Sequence, residues 1–403
     1  MTVCGGGAAG FFAAVNAARI NSDVHVRILE KSNKLLSKVK VSGGGRCNVC
    51  HHCFNVNELI KYYPRGKNFL KKAFHDFNTN DTVKWFAERG VKLKAEPDGR
   101  MFPETNSSQT IIDCLLREAD KYGVEILMNN ELKSVEKTND IFRLQTNNGS
   151  YETDFLVMAC GGYPKEIHFD WIKKTGHSIE TPVPSLFTFN MPGHSITQLM
   201  GISVPFATVK IAGTKFMQQG PLLITHWGLS GPVVLKLSAW YARELAACNY
   251  TFDITVNWLQ HYTQESLREE WPQLRSIHAR KKMHDKNPFE LPSRLWHWLL
   301  AESEVQEETR WADINAKQQN RLIQNLTAHN FSVKGKTTFK EEFVTCGGIK
   351  LSEIDAHTMQ SKIVPGLYFA GEIMDVDGIT GGFNFQHAWT SGFLAAKDIA
   401  SKC

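Results

Sequence analysis

Three glycines and one acid near the start of the chain are spaced to hold a phosphate and a ribose. Gly5, Gly7 and Gly10 lie in the run GGGAAG, and Glu30 closes VRILE twenty residues after the last of them. A short strand, Met1–Cys4, leads into the run. Gly5 serves the tight turn, Gly7 lets a phosphate approach the backbone, and Gly10 lets the helix Phe11–Ala18 pack on the strand. Ala8 and Ala9 keep the turn small. The helix N-terminus, with about half a positive charge, faces the phosphate. Glu30 can accept both hydroxyl hydrogens of a ribose, and Lys31 stands beside it. This spacing predicts a dinucleotide site but leaves open which dinucleotide.

Two later runs bear on that choice. Phe155–Gly162, FLVMACGG, is a buried strand ending in Cys160, Gly161 and Gly162. Pro365–Glu372, PGLYFAGE, runs into Gly371 and Glu372 and is followed by Asp375, Gly378, Gly381, Gly382, Phe383 and Asn384. A strand entering Gly371 beside Glu372 sets a carboxylate and backbone amides near a ribityl chain and its phosphate. The helix after Phe385 then aims its positive end at the pyrimidine edge of an isoalloxazine ring, which becomes anionic on reduction. The three-part arrangement resembles the glutathione-reductase-type FAD fold. Cys160 stands where Thr is usual and Glu372 where Asp is usual.

The elements that must position these residues are α/β in pattern. Residues 33–110 are irregular, with a glycine cluster at 42–45, helical stretches at Asn57–Phe77 and Thr79–Glu88, and a hairpin near Glu96–Pro103. Ile111–Tyr122 is amphipathic. Val124–Met128, Ser134–Thr138, Ile141–Thr146 and Phe155–Ala159 have strand patterns, and a mainly parallel sheet is expected. From Pro182–Pro184 to Val256 short strands and turns predominate, then a helical stretch, Gln260–His329. The expected division is an FAD-binding domain at 1–184, a β-barrel insertion at 185–258 and a helical subdomain at 259–328. A return strand of the barrel at 329–344 and the rest of the FAD domain at 345–403 follow.

Ser42–Asn48 (SGGGRCN), Gly99–Pro103 (GRMFP), Thr225–Pro232 (THWGLSGP), Thr345–Gly348 (TCGG) and Gly381–Ser391 (GGFNFQHAWTS) narrow the likeness. Together they resemble the BaiN-like family of bacterial NAD(P)/FAD-dependent oxidoreductases, also called the aminoacetone oxidase family. The likeness covers nearly the whole chain. It implies an FAD domain split by an inserted β-barrel and a helical subdomain. It also implies that Gly44, Gly45, Arg46, Cys47 and Asn48 wrap the cofactor, with Cys47 and Asn48 near the ring. Arg46 offers a forked guanidinium to phosphate or flavin oxygen. A small-molecule substrate is expected to exchange hydride with the flavin, either an enone reduced with NAD(P)H or an amine oxidised with peroxide release.

Cys47–Cys53, CNVCHHC, invites stronger claims. CxxCH is the attachment signature of c-type haem, but that chemistry needs export, and no leader precedes the nucleotide motif. A Zn or Fe–S site lacks a second ligand pair of matched spacing, so no metal is expected. A dithiol beside the flavin would need the CxxxxC spacing of disulfide reductases. The plainer reading makes Cys50 and Cys53 incidental thiols.

Candidate acid–base or anchoring groups are His226, beside Trp227 in the insertion, Arg100 in GRMFP, and His387 in the last helix. Each has an ordinary structural alternative, and no catalytic base is assigned. No second GxGxxG appears between residues 150 and 340, so NAD(P)H is a candidate transient donor without its own domain. The nine cysteines suggest free thiols in a reducing cytoplasm. With 42% hydrophobic and 22% charged residues the chain has the make-up of a globular protein. No apolar run approaches a membrane span of about 20 residues. A net charge of +5 is mild for 403 residues. The cluster Lys281, Lys282, His284 and Lys286 is short and followed by acids, and nucleic acid is not the expected partner. Two alternatives remain: a flavin-containing tRNA-modifying or nucleic-acid-associated protein, and a thiol–flavin redox sensor using Cys47 and Cys50. Nothing in the sequence fixes the oligomeric state.

Overall fold

The computed structural model describes residues 1–337 and 344–403, in two compact units. One unit holds Met1–Ser185 with 344–403, and the other holds 186–337. The last part of the expected return strand, 338–343, lies outside the described residues.

The first unit is built on five parallel strands: β1 (Thr2–Cys4), β2 (Arg27–Leu29), β3 (Glu125–Leu127), β4 (Leu156–Met158) and β5 (Leu367–Phe369). Their order is β5-β4-β1-β2-β3. The chain moves outward from β1 through β2 to β3, then returns to the other side of β1 for β4. The switch point is therefore between β1 and β4, where open α/β sheets form a crevice at their carboxyl ends. Val3, Ile28, Val157 and Phe369 are fully buried. Such unbroken apolar strands are what a parallel sheet covered on both faces requires.

Two helices cover the sheet beside the crevice: α1 (Ala8–Ile20) and α2 (Phe383–Ala400). They pack closely because α2 carries Gly392 at the crossing. A Cβ there would fall 2.6 Å from the Ala9 carbonyl oxygen.

Three segments differ from the expected pattern. The strands Leu132–Thr138, Ile141–Thr146 and Gly149–Thr153 form a separate antiparallel meander rather than joining the parallel sheet. The cause is local: Asn139 and Asp140 adopt left-handed backbone (φ 50° and 65°), and a two-residue turn of that kind returns the chain antiparallel. The helical stretch expected over Asn57–Phe77 is interrupted. Pro64 and left-handed Gly66 (φ 79°) separate a short first turn from the helix Lys67–Asp76. The glycine cluster at 42–45 is a break within Ser37–Gly45, since Gly43, Gly44 and Gly45 have φ of 60°, 69° and 84°.

The second unit is a seven-stranded antiparallel sheet with helices. Its order is His329–Lys334, Thr251–Asn257, Ser203–Ile211, Met217–Thr225, Gly228–Ser230, Thr188–Asn190 and Lys336–Thr337. The expected closed barrel does not form as one ladder among the described residues. The two end strands are consecutive in the chain, separated by Gly335, and one pairs with Thr251–Asn257 while the other pairs with Thr188–Asn190. Helices Gln264–His278, Ser293–Glu302 and Ala316–Thr327 account for the helical stretch. Its core joins Val209, Ile254 and Val256 of the sheet to Trp271, Trp296 and Leu322 of the helices.

Candidate functional site

The turn after β1 is fixed by contacts that only glycine permits. A Cβ on Gly10 would sit 1.9 Å from the Gly5 carbonyl oxygen, and one on Gly5 (φ 113°) 2.3 Å from that of Ala159. Gly5 donates its N–H to the Leu29 carbonyl at 2.8 Å, which ties the turn to β2. Gly7 is different: it precedes α1, and a Cβ on it would meet no heavy atom within 4 Å. No side chain caps α1, and its first turn holds no acid. The helix thus presents bare N–H groups to open space, the arrangement that receives a phosphate. Ala8 begins α1 and Ala9 is buried, its Cβ 2.9 Å from where a Cβ on Gly371 would fall.

Glu30 is at the end of β2, where its carboxylate accepts the N–H of Gly6 at 2.8 Å and that of Ser32 at 2.9 Å. The Ser32 hydroxyl also donates to it at 2.8 Å. Lys31 is exposed, with its ammonium 6.0 Å from the Tyr163 ring centre.

The other strand ends converge on the same edge of the sheet. Cys160, after β4, points its thiol to the Cys4 carbonyl at 3.4 Å, and burial raises its pKa to about 11. Gly161 (φ 76°) faces open space. Gly162 has no room for a side chain: a Cβ would fall 2.4 Å from Thr345 Oγ1 and 2.9 Å from Glu372 Oε1. Glu372 accepts the Thr345 N–H at 2.9 Å and pairs with Lys38. Gly371 donates its N–H to the Ser391 hydroxyl on α2 at 2.8 Å. Asp375 donates its N–H to the Ile349 carbonyl at 3.1 Å.

The segment Gly43–His51 closes the wall. Gly44 and Gly45 border open space, whereas Gly43 is crowded by Phe102. Arg46 turns away toward protein partners: it pairs with Glu96 and lies 4.0 Å above the Phe102 ring centre. Cys47 is buried in left-handed backbone (φ 61°), and burial pushes its thiol up to about 12. Asn48, with its amide turned to satisfy both ends, donates to the Cys50 carbonyl at 3.1 Å and accepts the Gly382 N–H at 3.0 Å. Gly382 is pressed on that backbone, since a Cβ would fall 2.6 Å from Cys50. His51 Nδ1 is 3.0 Å from the Gly381 carbonyl, and its ring stacks on Phe383. This stitching brings residues 330 or more positions apart to the head of α2.

At that head, Phe383 accepts a hydrogen bond from Tyr63 Oη at 2.7 Å, and Asn384 bridges both backbone groups of Gly378. His387 is buried one turn on, with Nε2 3.2 Å from the Gly371 carbonyl. Burial lowers its pKa to about 4, with the carbonyl pulling the other way. It is neutral at pH 7, so Nε2 carries the proton and Nδ1 is left as an acceptor with no partner among the described residues. Thr345 Oγ1 is likewise buried without a partner among the described residues. A bare helix N-terminus and glycine walls at Gly7, Gly44, Gly45 and Gly161 fit a long polar cofactor in the crevice.

Sequence reasoning missed one buried group altogether. Asp377 is fully buried, pairs with Arg65, and accepts the Ser185 hydroxyl at 2.8 Å. An acid inside the apolar run IMDVDGIT was the available signal. Thr345 was visible only as part of TCGG.

Of the three expected acid–base candidates, Arg100 and His387 lie in the first unit and His226 in the second. Arg100 is held by Glu96 at 2.9 Å and Asp98 at 2.7 Å. His387 is sealed inside the first unit. His226 belongs to the second unit, exposed in the turn between Met217–Thr225 and Gly228–Ser230, with its ring against Trp227. Cys47, Cys50 and Cys53 are free thiols, and Cys50 packs its sulfur 3.6 Å from Met101 Sδ. No group of three metal-ligating side chains stands together among the described residues. Nor is any described helix long and apolar enough to cross a membrane.

Comparison with known proteins agrees with the crevice. The chain is 30% identical to a ribosomal RNA dihydrouridine synthase of Haemophilus influenzae, covering 99% of this chain and 98% of that protein. It is 24% identical to a 3-dehydro-bile acid delta(4,6)-reductase of Clostridium scindens, covering 99% and 98%. Among solved structures, a 3-ketosteroid-delta4-(5alpha)-dehydrogenase of Rhodococcus jostii superposes with a TM-score of 0.53 at 12% identity, covering 98% of this chain and 96% of that one. A flavocytochrome c3 fumarate reductase superposes at 0.51 and 15%, covering 99% and 78%. Residues 1–398 match the family described as HI0933-like protein Rossmann domain. The switch-point crevice, the glycine turns and this whole-length match agree: the chain belongs to the HI0933-like Rossmann family of FAD-dependent oxidoreductases.

Proposed function

We propose that this protein reduces a carbon–carbon double bond conjugated to a carbonyl, and that its substrate is a uracil ring in RNA. The observation that carries the reading is the shared chemistry of its full-length relatives. A dihydrouridine synthase saturates a ring bond conjugated to the uracil carbonyl. A delta(4,6)-reductase saturates bonds conjugated to a 3-oxo group. The pyrimidine is the favoured ring because relatives named for ribosomal RNA are 30% and 29% identical over the full length, against 24% for the bile-acid enzyme. RNA then takes the place of the small molecule that the family resemblance implies.

Bound and reduced, FAD supplies a hydride for the β-carbon of such a bond, and a proton completes the α-carbon. The chain's own part is positioning. The α1 N-terminus and Gly7 receive the pyrophosphate, and Glu30 the adenosine ribose. Lys31 is the cation at the adenosine end. Gly44, Gly45, Cys47 and Asn48 form the wall by the ring, while Arg46 steadies it through Glu96. Cys160, Gly161 and Gly162 shape the opposite wall. Gly371, Glu372 and Thr345 meet the ribityl chain. Gly382, Phe383, Asn384 and Asp375 set the head of α2, whose positive end favours the anionic reduced ring. NAD(P)H is the proposed electron source. The nine cysteines, all free, suit a reducing cytoplasm.

The test is anaerobic. FAD-loaded protein is reduced with dithionite and mixed with unmodified ribosomal RNA or with a 3-oxo-Δ4 steroid. Reoxidation of the flavin matched by two added hydrogens on uridine is the expected result. Turnover of the steroid alone moves the substrate to the enone class at large. A flavin that stays reduced with both substrates and reoxidises only when air is then admitted, with peroxide, overturns the reductase reading.

A further inference from the structure

Away from the crevice, the first unit contains a cavity of about 600 Å³ between the helix Lys67–Asp76 and the segment Leu351–Lys362. Lys67, Lys72 and Lys362 line it, together with Phe69, Leu351 and Ile354. Neither Lys67 nor Lys72 has an ion-pair or hydrogen-bond partner among the described residues. Among the described residues Lys362 donates only to the Ser352 carbonyl, at 3.1 Å. The carboxylate in the wall, Asp355, accepts on one oxygen the N–H of His357 at 2.8 Å and of Thr358 at 3.0 Å. The nearby Asp76 is taken by His357 Nδ1 at 2.7 Å. Three lysines against one lining carboxylate, Asp355, leave the concavity with an excess of positive charge.

The apolar side has its own signature. Phe69 is half-buried and stacks on no other ring among the described residues, in a protein where most aromatic side chains do. A free ring beside lysines suits a base with its phosphates. Pockets of about 300–1,000 Å³ hold a ligand of one nucleotide's size. RNA offers one phosphate charge per nucleotide along an extended track. Three lysines about a single open concavity instead match several phosphate charges on one nucleotide. We propose that this cavity binds the 2′-phosphoadenosine half of NADPH. The inference rests on the reading above, because a flavin reductase needs a donor.

Calorimetry with 2′,5′-ADP on the FAD-loaded full chain tests it. Lys67→Glu with Lys72→Glu reverses two charges at the rim on exposed side chains. Lys71→Glu makes the same change on the same helix outside the cavity. Binding weaker by at least about tenfold in the double variant, and unchanged in Lys71→Glu, is expected. NADPH reduction of the flavin slows in parallel while dithionite reduction does not. Failure of 2′,5′-ADP to bind at millimolar concentration, or equal binding by the double variant, overturns the proposal. So does loss of oligouridylate binding alone in that variant. If 2′,5′-ADP binds as expected while dithionite-reduced protein leaves both RNA and steroid untouched, the reductase reading fails and the nucleotide site stands.

Discussion

The glycine turn at Gly5–Gly10 and the cysteine run at Cys47–Cys53 are both dense in one reactive-looking residue type, yet they behave in opposite ways. In the turn, backbone crowding at Gly5 and Gly10 holds an open face at Gly7. In the run, the thiols of Cys47 and Cys50 are buried as packing groups, and burial raises both pKa values. Spacing carries meaning where the backbone must take an unusual path. A cluster of side chains means little until their exposure is known.

The largest effect that would break this contrast is at Gly10. Gly10→Val places carbon against the Gly5 carbonyl, and we expect no soluble, flavin-retaining protein, checked by flavin absorbance and thermal melting. If that variant folds and binds FAD, the crowding argument fails. Asp377→Ala comes next, since it removes a fully buried carboxylate that pairs with Arg65 and accepts the Ser185 hydroxyl. A loss of about 3–5 kcal/mol in urea unfolding is expected.

His387 gives a pH signature. Its folded pKa, about 4, lies below the ordinary value of 6.5, so the unfolded state binds the extra proton first. Stability therefore rises with pH between about 4 and 6.5 and is lost as pH falls through that window, by up to about 3 kcal/mol. His387→Phe should flatten that slope, apart from the similar part contributed by His329.

Gly7→Ala sharpens the comparison, because its Cβ enters open space. Stability of the flavin-free protein should be unchanged within about 0.5 kcal/mol. FAD affinity should fall about tenfold, by titration, as the methyl group occupies the phosphate's approach. The smallest effect is expected from the thiols. Under native conditions a thiol reagent should modify exposed Cys248 and Cys403 and leave Cys47 and Cys50 silent. Rapid labelling of that buried pair would restore the redox reading.

Much of the first unit was legible because its signals are local. GGGAAG with Glu30, the strand ending in Gly161–Gly162, and the strand entering Gly371 each encode one turn at one strand end. The meander at 132–153 was misassigned to the parallel sheet because strand periodicity does not carry direction; the two-residue turn at Asn139–Asp140 does. Arg46 illustrates another limit. Its place in SGGGRCN suggests a cofactor contact, but Glu96 and Phe102, half a hundred residues on, draw it to themselves.

Taken alone, the sequence determined which backbone turns exist, since a positive φ or a sub-van-der-Waals approach admits almost no residue but glycine. Which side chains are sealed, paired or left facing open space was decided only by tertiary structure. The burial of Cys47, the Asp377–Arg65 pair, the unpartnered Thr345 hydroxyl and the lysines around Phe69 all depend on segments far apart in the chain. Exposure and electrostatic partnership are properties of those meetings, and no local run of residues encodes them.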